Sequence, residues 1–189
     1  MKYFLADTHF SDDRLDLFFR NLLFDSADEV DKHIIKQWNN KIKPNDTVYH
    51  LGDVALSEEG LKKVNKLNGK KILIKGNYDV KKTAEFDIND DKLLEYFDDV
   101  FDDAYVKIGN ETVYLNHYPT KGKDNLFNIV GHIHSLWKVQ RNMINVGLDA
   151  WLFQPVSEDI IKFTMNGIRK HYDDNVFAGE LKANTKYKK

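Results

Sequence analysis

Thr47-Val48-Tyr49-His50-Leu51 is an apolar run that halts at Gly52-Asp53, and this stretch decides the fold. A short run rich in β-branched and aromatic residues, closed by a glycine and an acid, reads as a buried strand ending in a polar loop. Two other stretches repeat the pattern: Tyr3 to Ala6 is broken by Asp7, and Lys71-Ile72-Leu73-Ile74-Lys75 is stopped by Gly76-Asn77. Between the first two runs, Ser26-Ala27-Asp28-Glu29 has the form of a capping box, and Val30, Ile34, Trp38 and Ile42 recur every fourth residue. That spacing predicts an amphipathic helix, closed by Pro44-Asn45-Asp46. Leu61, Val64 and Leu67 mark a shorter helix before the third run, ending at Asn68-Gly69. Strand, helix, strand, helix, strand implies parallel strands joined by right-handed crossovers.

The second half changes character. Tyr105-Val106-Lys107-Ile108 and Thr112-Val113-Tyr114-Leu115 flank Gly109-Asn110, a hairpin turn signal. Asn128-Ile129-Val130, Met143-Ile144-Asn145-Val146 and Ile160-Ile161-Lys162-Phe163-Thr164 read as further short strands of a second sheet, mostly antiparallel or mixed. The expected fold class is therefore α/β, a two-sheet α/β sandwich with flanking helices, whose ligands gather at the carboxyl ends of strands.

A chain of 189 residues is about one domain's worth. We expect a domain over residues 1–165 and a Lys- and Asn-rich, loosely held tail over 166–189. A hydrophobic fraction of 42% fits a folded globular protein. With 28 basic against 30 acidic residues, the charge balance does not advertise a polyanion, so nucleic acid is a conceivable but unfavoured partner. No cysteine occurs, which removes disulfides, zinc-thiolate sites and thiol catalysis together. The N-terminal apolar run is too short for a signal peptide and no stretch is long enough to span a membrane, so the expected location is the cytoplasm.

Seven residues able to bind metal stand where strand-like runs give out: Asp7, His9, Asp53, Asn77, His117, His132 and His134. Taken singly they are weak signals. Gly52-Asp53 and Gly76-Asn77 are ordinary strand-to-turn punctuation, Asp7-Thr8-His9 could cap a helix, and His117 could be a partly buried histidine satisfied by a hydrogen bond. An alternating strand end would set His132 and His134 on one side. Together, at matching strand ends, the seven point to a binuclear metal centre. Carboxylate, amide and imidazole donors suit two divalent transition-metal ions, among manganese, iron, zinc, nickel and cobalt.

Asp7-Thr8-His9, Gly52-Asp53, Gly76-Asn77, Asn116-His117 and Gly131-His132-Ile133-His134 resemble, in order, the five signature blocks of the calcineurin-like metallophosphoesterase superfamily. Asn145-Val146-Gly147-Leu148-Asp149, Trp151 and Pro155-Val156 resemble the end of its small bacterial and phage members, so the likeness covers about residues 1–165. The resemblance implies a metal-dependent phosphoesterase, with Asp7, His9, Asp53 and His134 on one ion and Asp53, Asn77, His117 and His132 on the other. Asp53 would bridge, and a hydroxide shared by the ions would attack phosphorus. Asp53, Asn77, Tyr78 and His117 are the catalytic candidates, and Arg14, Tyr78 and Arg141 the substrate-binding ones. The expected partner is a small phosphorylated substrate. A non-catalytic metal-binding scaffold, like the retromer subunit that resembles this superfamily in fold, and a small nuclease are the alternatives.

The likeness departs at Tyr78, where the superfamily commonly has a histidine that assists the leaving group. A phenol, with a reference pKa of about 10, is a reluctant acid near neutrality. Tyr78 therefore either donates a hydrogen bond or packs at the mouth of the site, and the expected activity is that of a phosphodiesterase preferring good leaving groups, such as aryl phosphodiesters or phosphoanhydrides, over simple alkyl phosphates. Ser11-Asp12 follows Phe10 where some small relatives carry a further histidine. His50, three residues before Asp53, should point away from it into the core or support the ligands. Leu15, Phe18, Phe19, Leu22 and Leu23 fit a short helix covering the core with Arg14 and Arg20 solvated, although an arginine there could grip phosphate. Arg141, Asn145 and Asp149 are candidates for the rim or for supporting the ligands. The run Lys62, Lys63, Lys66, Lys70 and Lys71 reads as a solvated face.

Overall fold

The computed structural model describes residues 1–80 and 88–171. Its first sheet contains β1 (Lys2–Leu5), β2 (Thr47–His50), β3 (Lys70–Ile74) and β4 (Asp99–Phe101), all parallel. The second holds β5 (Ala104–Ile108), β6 (Glu111–Leu115), β7 (Phe127–Val130), β8 (Val139–Gln140) and β9 (Met143–Asn145) in the order β5-β6-β7-β9-β8. In it β6, β7 and β9 run parallel, with an antiparallel strand at each edge. Finally β10 (Val156–Ser157) returns to pair antiparallel with β1 and closes the first sheet's edge. The two sheets with helices outside make the expected α/β sandwich.

Strand alternation creates two cores. Tyr3 and Leu5 of β1 face outward onto Val30, Ile34 and Trp38, while Phe4 and Ala6 face inward onto Val113, Leu115, Ile129 and Ile144 of the second sheet. Helix α1 (Ala27–Lys41) supplies the outer layer, and its Ser26 cap accepts from Glu29 N at 3.3 Å while Glu29 accepts from Asp25 N at 2.9 Å. Trp38 is fully buried and donates Nε1 to Asn68 O at 2.9 Å, so truncating it to Ala would cost roughly 3–5 kcal/mol. Helix α2 (Glu58–Lys62) passes into a 3-10 turn over Lys63–Lys66 and buries Leu61, Val64 and Leu67, as their spacing predicts. Lys63 departs from the solvated face by pairing with the buried carboxylate of Asp31. A short α3 (Asp90–Leu94) precedes β4, a strand that carried no recognisable sequence signal.

Two expectations are corrected. Ile160–Thr164 is not a strand but part of α4 (Glu158–His171), which crosses the expected division between residues 165 and 166. A strand would have buried Ile161 and Phe163 together, whereas Ile161 and Met165, one turn apart, pack on the inner core and Phe163 is 79% exposed. The rest of the expected tail, 172–189, lies outside the described residues. The segment 12–24 forms two 3-10 turns, Leu15–Phe18 and Arg20–Leu22, and most of its apolar side chains face solvent. Among the described residues no helix is long and apolar enough to cross a membrane.

Candidate metal centre

All seven residues stand just beyond the carboxyl ends of parallel strands: Asp7 and His9 after β1, Asp53 after β2, Asn77 after β3, His117 after β6, His132 and His134 after β7. The strands bring their ends to one place. Asp7 N donates to Gly52 O at 2.9 Å and His9 N to Asp53 O at 3.1 Å, tying the loops after β1 and β2, while Ala6 N reaches Val146 O at 3.1 Å in the second sheet. Asp7, His9, Asp53, His132 and His134 all adopt positive φ, between 48° and 75°. Such backbone costs of order 1–3 kcal/mol per residue and persists only where its surroundings over-determine it.

Asp79 is one such restraint. Its buried carboxylate accepts from Asp53 N at 2.7 Å, Val54 N at 3.0 Å and Gly76 N at 2.8 Å, which fixes the two loops carrying Asp53 and Asn77. The glycines before those ligands are required by the closeness of approach. A Cβ on Gly52 would lie 2.4 Å from Gly76 N, and one on Gly76 2.4 Å from Asp53 Oδ1.

Two groups result, Asp7 with His9 and His134, and Asp53 with His117 and His132, the potential ligand atoms within each lying inside 4.8 Å of one another. Asn77 Oδ1 is 3.2 Å from His117 Nε2. Asp53 Oδ2 stands between the groups, 3.7 Å from His9 Nε2 and 3.4 Å from His117 Nε2. His132 and His134 are not side by side on a strand. Both lie in the loop after β7 at positive φ, which turns one imidazole to each group.

Surrounding polar groups orient the imidazoles. His117 Nδ1 donates to Leu51 O at 2.6 Å and His134 Nδ1 to Asp149 Oδ2 at 2.7 Å, which turns each Nε2 toward the ligand groups. Asp12 Oδ2 comes within 3.4 Å of His9 Nδ1. Arg20, expected in solvent, is buried. It donates Nε to Asp149 Oδ1 at 2.8 Å and its two amino groups to Thr8 O at 2.9 Å and Asp7 O at 2.7 Å. Asn145 Nδ2 holds the same loop through His134 O and Trp137 O, both at 2.7 Å. His50 is buried, as expected, and pairs with Thr8 Oγ1 at 3.0 Å. Burial pushes it down to about 3, so it is neutral.

The electrostatics suit a cation. Burial drives the Asp7 carboxyl up to about 7 against the pull of His117 and His134. Burial acts to lower His117, but the carboxylates of Asp53 and Asp7 outweigh it and raise the imidazole to about 9. Burial also lowers His9, and its buried ring nitrogens make no well-formed hydrogen bond, lying 3.4 Å from Asp12 Oδ2 and 3.7 Å from Asp53 Oδ2. A buried imidazole facing two carboxylates in this way is a metal-ligand arrangement, and the N/O donor set fits divalent transition metals.

A cavity of about 470 Å³ opens onto this centre, lined by Asp53, Asn77, His132 and His134 and by apolar side chains. Tyr78 lies in its wall, edge-on to His9 with ring centroids 5.1 Å apart, and its backbone N donates to Asp53 Oδ1 at 2.9 Å. Arg14 stacks over the Tyr78 ring at 5.3 Å and is paired with Asp12 at 2.6 Å. Burial would raise Asp12, but the hydrogen bonds from Arg14 outweigh it and hold the carboxyl well below the usual range. Arg141 is not at this site. It sits in the turn entering β9, at the end of the second sheet opposite the ligands, beside Asp124, Asn142 and Arg169. Sequence reasoning missed the roles of Arg20 and Asp12, because ion pairs formed across the fold leave no periodic trace.

The family model for the calcineurin-like phosphoesterase superfamily domain matches residues 3–155. An uncharacterized protein of Methanocaldococcus jannaschii is 30% identical, covering 84% of this chain and 88% of its own. The gene 66 protein of Mycobacterium phage L5 is 29% identical, covering 89% and 95%. The crystal structure of a protein of unknown function from Aquifex aeolicus superposes with a TM-score of 0.68 at 27% identity, over 86% of this chain and 97% of that one.

Proposed function

The chain belongs to the calcineurin-like phosphoesterase superfamily, and from that premise we propose that it is a binuclear metal-dependent phosphodiesterase of small phosphorylated molecules. The position of Asp53 carries this reading, since one carboxylate oxygen lies 3.7 Å from His9 Nε2 and 3.4 Å from His117 Nε2, between the two ligand groups. Asp7, His9 and His134 would hold one ion with Asp53, and Asn77, His117 and His132 the other with the same Asp53. Bound there, two ions would supply an activated water and a clamp on the phosphoryl oxygens.

The protein's own groups do the rest. Leu51 O and Asp149 keep the protons of His117 and His134 on Nδ1, and Asp79 keeps Asp53 in place. Asn77 and Tyr78 face the cavity where the phosphate would lie, and the Tyr78 hydroxyl can donate a hydrogen bond to a departing oxygen. Arg14 is already engaged by Asp12, so it offers limited extra charge for a dianionic monoester. A monoanionic diester makes less demand on positive charge, which favours diesters, and the high pKa of a phenol at Tyr78 separately favours bonds with good leaving groups, aryl esters and phosphoanhydrides among them.

The experiment compares bis-p-nitrophenyl phosphate with p-nitrophenyl phosphate on manganese-loaded protein. Metal-stimulated hydrolysis, faster on the diester and abolished by chelator, is expected. A scaffold would turn over neither, and preference for the monoester would reverse the diesterase assignment.

A further inference from the structure

We propose that Leu17, Phe19 and Leu136 form a subsite for an apolar, planar ester group of the substrate, so that the preferred phosphodiesters carry at least one aromatic or similarly apolar substituent. This rests on the phosphodiesterase reading and specifies its substrate class.

The cavity has two chemically different parts. One set of its lining residues is polar, Asp53, Asn77, His132 and His134, and the other apolar, Leu17, Phe18, Phe19, Ile133 and Leu136. Polar metal-ligand candidates beside an apolar lining fit a ligand with a phosphate at one end and an apolar body. Phe18 begins the wall in direct contact with the ligands, its ring stacked on His134 at 4.2 Å and tilted against His9 at 4.4 Å. Beyond it, Leu17 is 56% exposed, Phe19 68%, and Leu136, in the loop after His134, 81%. Isolated exposed apolar residues are ordinary, but these line one cavity and continue from the metal ligands.

The wall is also held in place. Asp12 and Arg14 secure the segment at Tyr78, and Arg20 anchors its other end to Asp149 and to the carbonyls of Asp7 and Thr8. Between these anchors Phe19 adopts φ 58° and ψ 18°, an unfavourable conformation for an aromatic residue. Folding gains little from the Phe19 ring, since the ring stays in solvent. Rigid anchoring, backbone strain and exposure coincide at the lip of the cavity, which is where a substrate would bury the ring.

The test separates binding from turnover. Calorimetry on manganese-loaded protein compares phenylphosphonate with methylphosphonate, two non-hydrolysable anions that differ in the apolar group. The wild type should bind the phenyl compound at least about tenfold more tightly, about 1.4 kcal/mol. In the Phe19→Ser, Leu136→Ser double variant that ratio should fall below about threefold, with bound metal count as the check on folding. Phenyl and methyl p-nitrophenyl phosphates, which share a leaving group, should show the same loss of discrimination in kcat/KM. Equal affinity for both phosphonates in the wild type, or an unchanged ratio in the double variant, would overturn the subsite. So would a concentration-dependent dimer that the double variant abolishes without any ring preference in the wild type, since the wall would then serve a second copy of the chain. Failure of both phosphonates to bind, with no diester hydrolysed, would instead refute the phosphodiesterase reading, and the subsite with it.

Discussion

Asp149 accepts a hydrogen bond from His134 Nδ1 at 2.7 Å through the carboxylate that Arg20 grips at 2.8 Å. The imidazole facing the first ligand group is thus aimed by a buried acid, which is itself fixed by a buried guanidinium. Burial acts to raise Asp149, but His134 and Arg20 outweigh it and bring it to about 2, so the carboxylate stays ionised. Arg20 also holds the carbonyls of Asp7 and Thr8, so one side chain restrains the loops that present Asp7 and His134.

Replacing this carboxylate should loosen one ion more than the other. Asp149→Asn is expected to weaken the first site, which His134 faces, by about 10–100-fold, the usual cost of losing a group that orients a ligand histidine. Chelator competition with manganese read per site would show it, and equal weakening of both sites would argue against a local effect. Arg20→Met strips a buried acid of its cation and should cost roughly 3–5 kcal/mol in denaturant unfolding.

Tyr78 should govern the range of leaving groups. Tyr78→His is expected to accelerate hydrolysis of alkyl diesters by at least about tenfold, since a well-placed general acid contributes about 10²–10⁴. Aryl diesters should change little, as their leaving groups need no proton. Rates plotted against leaving-group pKa would decide the matter, and parallel lines for wild type and variant would remove Tyr78 from the chemistry.

The fold was legible where burial imposes a period. The parallel strands ending at Asp7, Asp53 and Asn77 and the helix through Val30, Ile34 and Trp38 follow from alternation and fourfold spacing, because each buries one face. Ile160–Thr164 was misread since a short β-branched run satisfies both periods until the exposed Phe163 is seen. At the site, the seven candidate ligands were visible as strand-end punctuation and the structure brings them together. Their supports were not, because Arg20–Asp149 and Asp12–Arg14 depend on distance in space rather than along the chain. Arg141 was misplaced for the same reason, as residue type alone does not say which end of a strand a turn occupies.

The glycines before the ligands should tolerate no side chain. In Gly76→Ala the new carbon would stand 2.4 Å from Asp53 Oδ1 and 2.7 Å from Asp53 N, so loss of roughly 3 kcal/mol or more is expected together with weakened metal binding. Gly167→Ala is the control, since nothing lies within 4 Å of its added carbon in α4 and it should stabilise by about 0.5–1 kcal/mol. Thermal unfolding of the pair checks both signs at once.

Asp79 should matter for architecture rather than reaction. Asp79→Asn turns an amino group either toward Val54 N or toward both Asp53 N and Gly76 N, and forfeits charge-assisted bonds worth about 1.5–3 kcal/mol each. Stability should fall by at least the value of one such bond, and kcat of the fully metal-loaded variant should fall less than that of any ligand variant. A stability within error of wild type would contradict the latch.

The most direct measurement is the number of ions bound per chain in wild type and Asp53→Asn, determined by elemental analysis after equilibration with manganese and read beside hydrolysis of bis-p-nitrophenyl phosphate. A bridging Asp53 predicts two ions per wild-type chain, one or fewer in the variant, and a loss of turnover of at least about 10³-fold, the scale of removing a principal electrostatic contribution. A wild type that never binds more than one ion, or a variant that keeps two and turns over at the wild-type rate, would contradict the binuclear account.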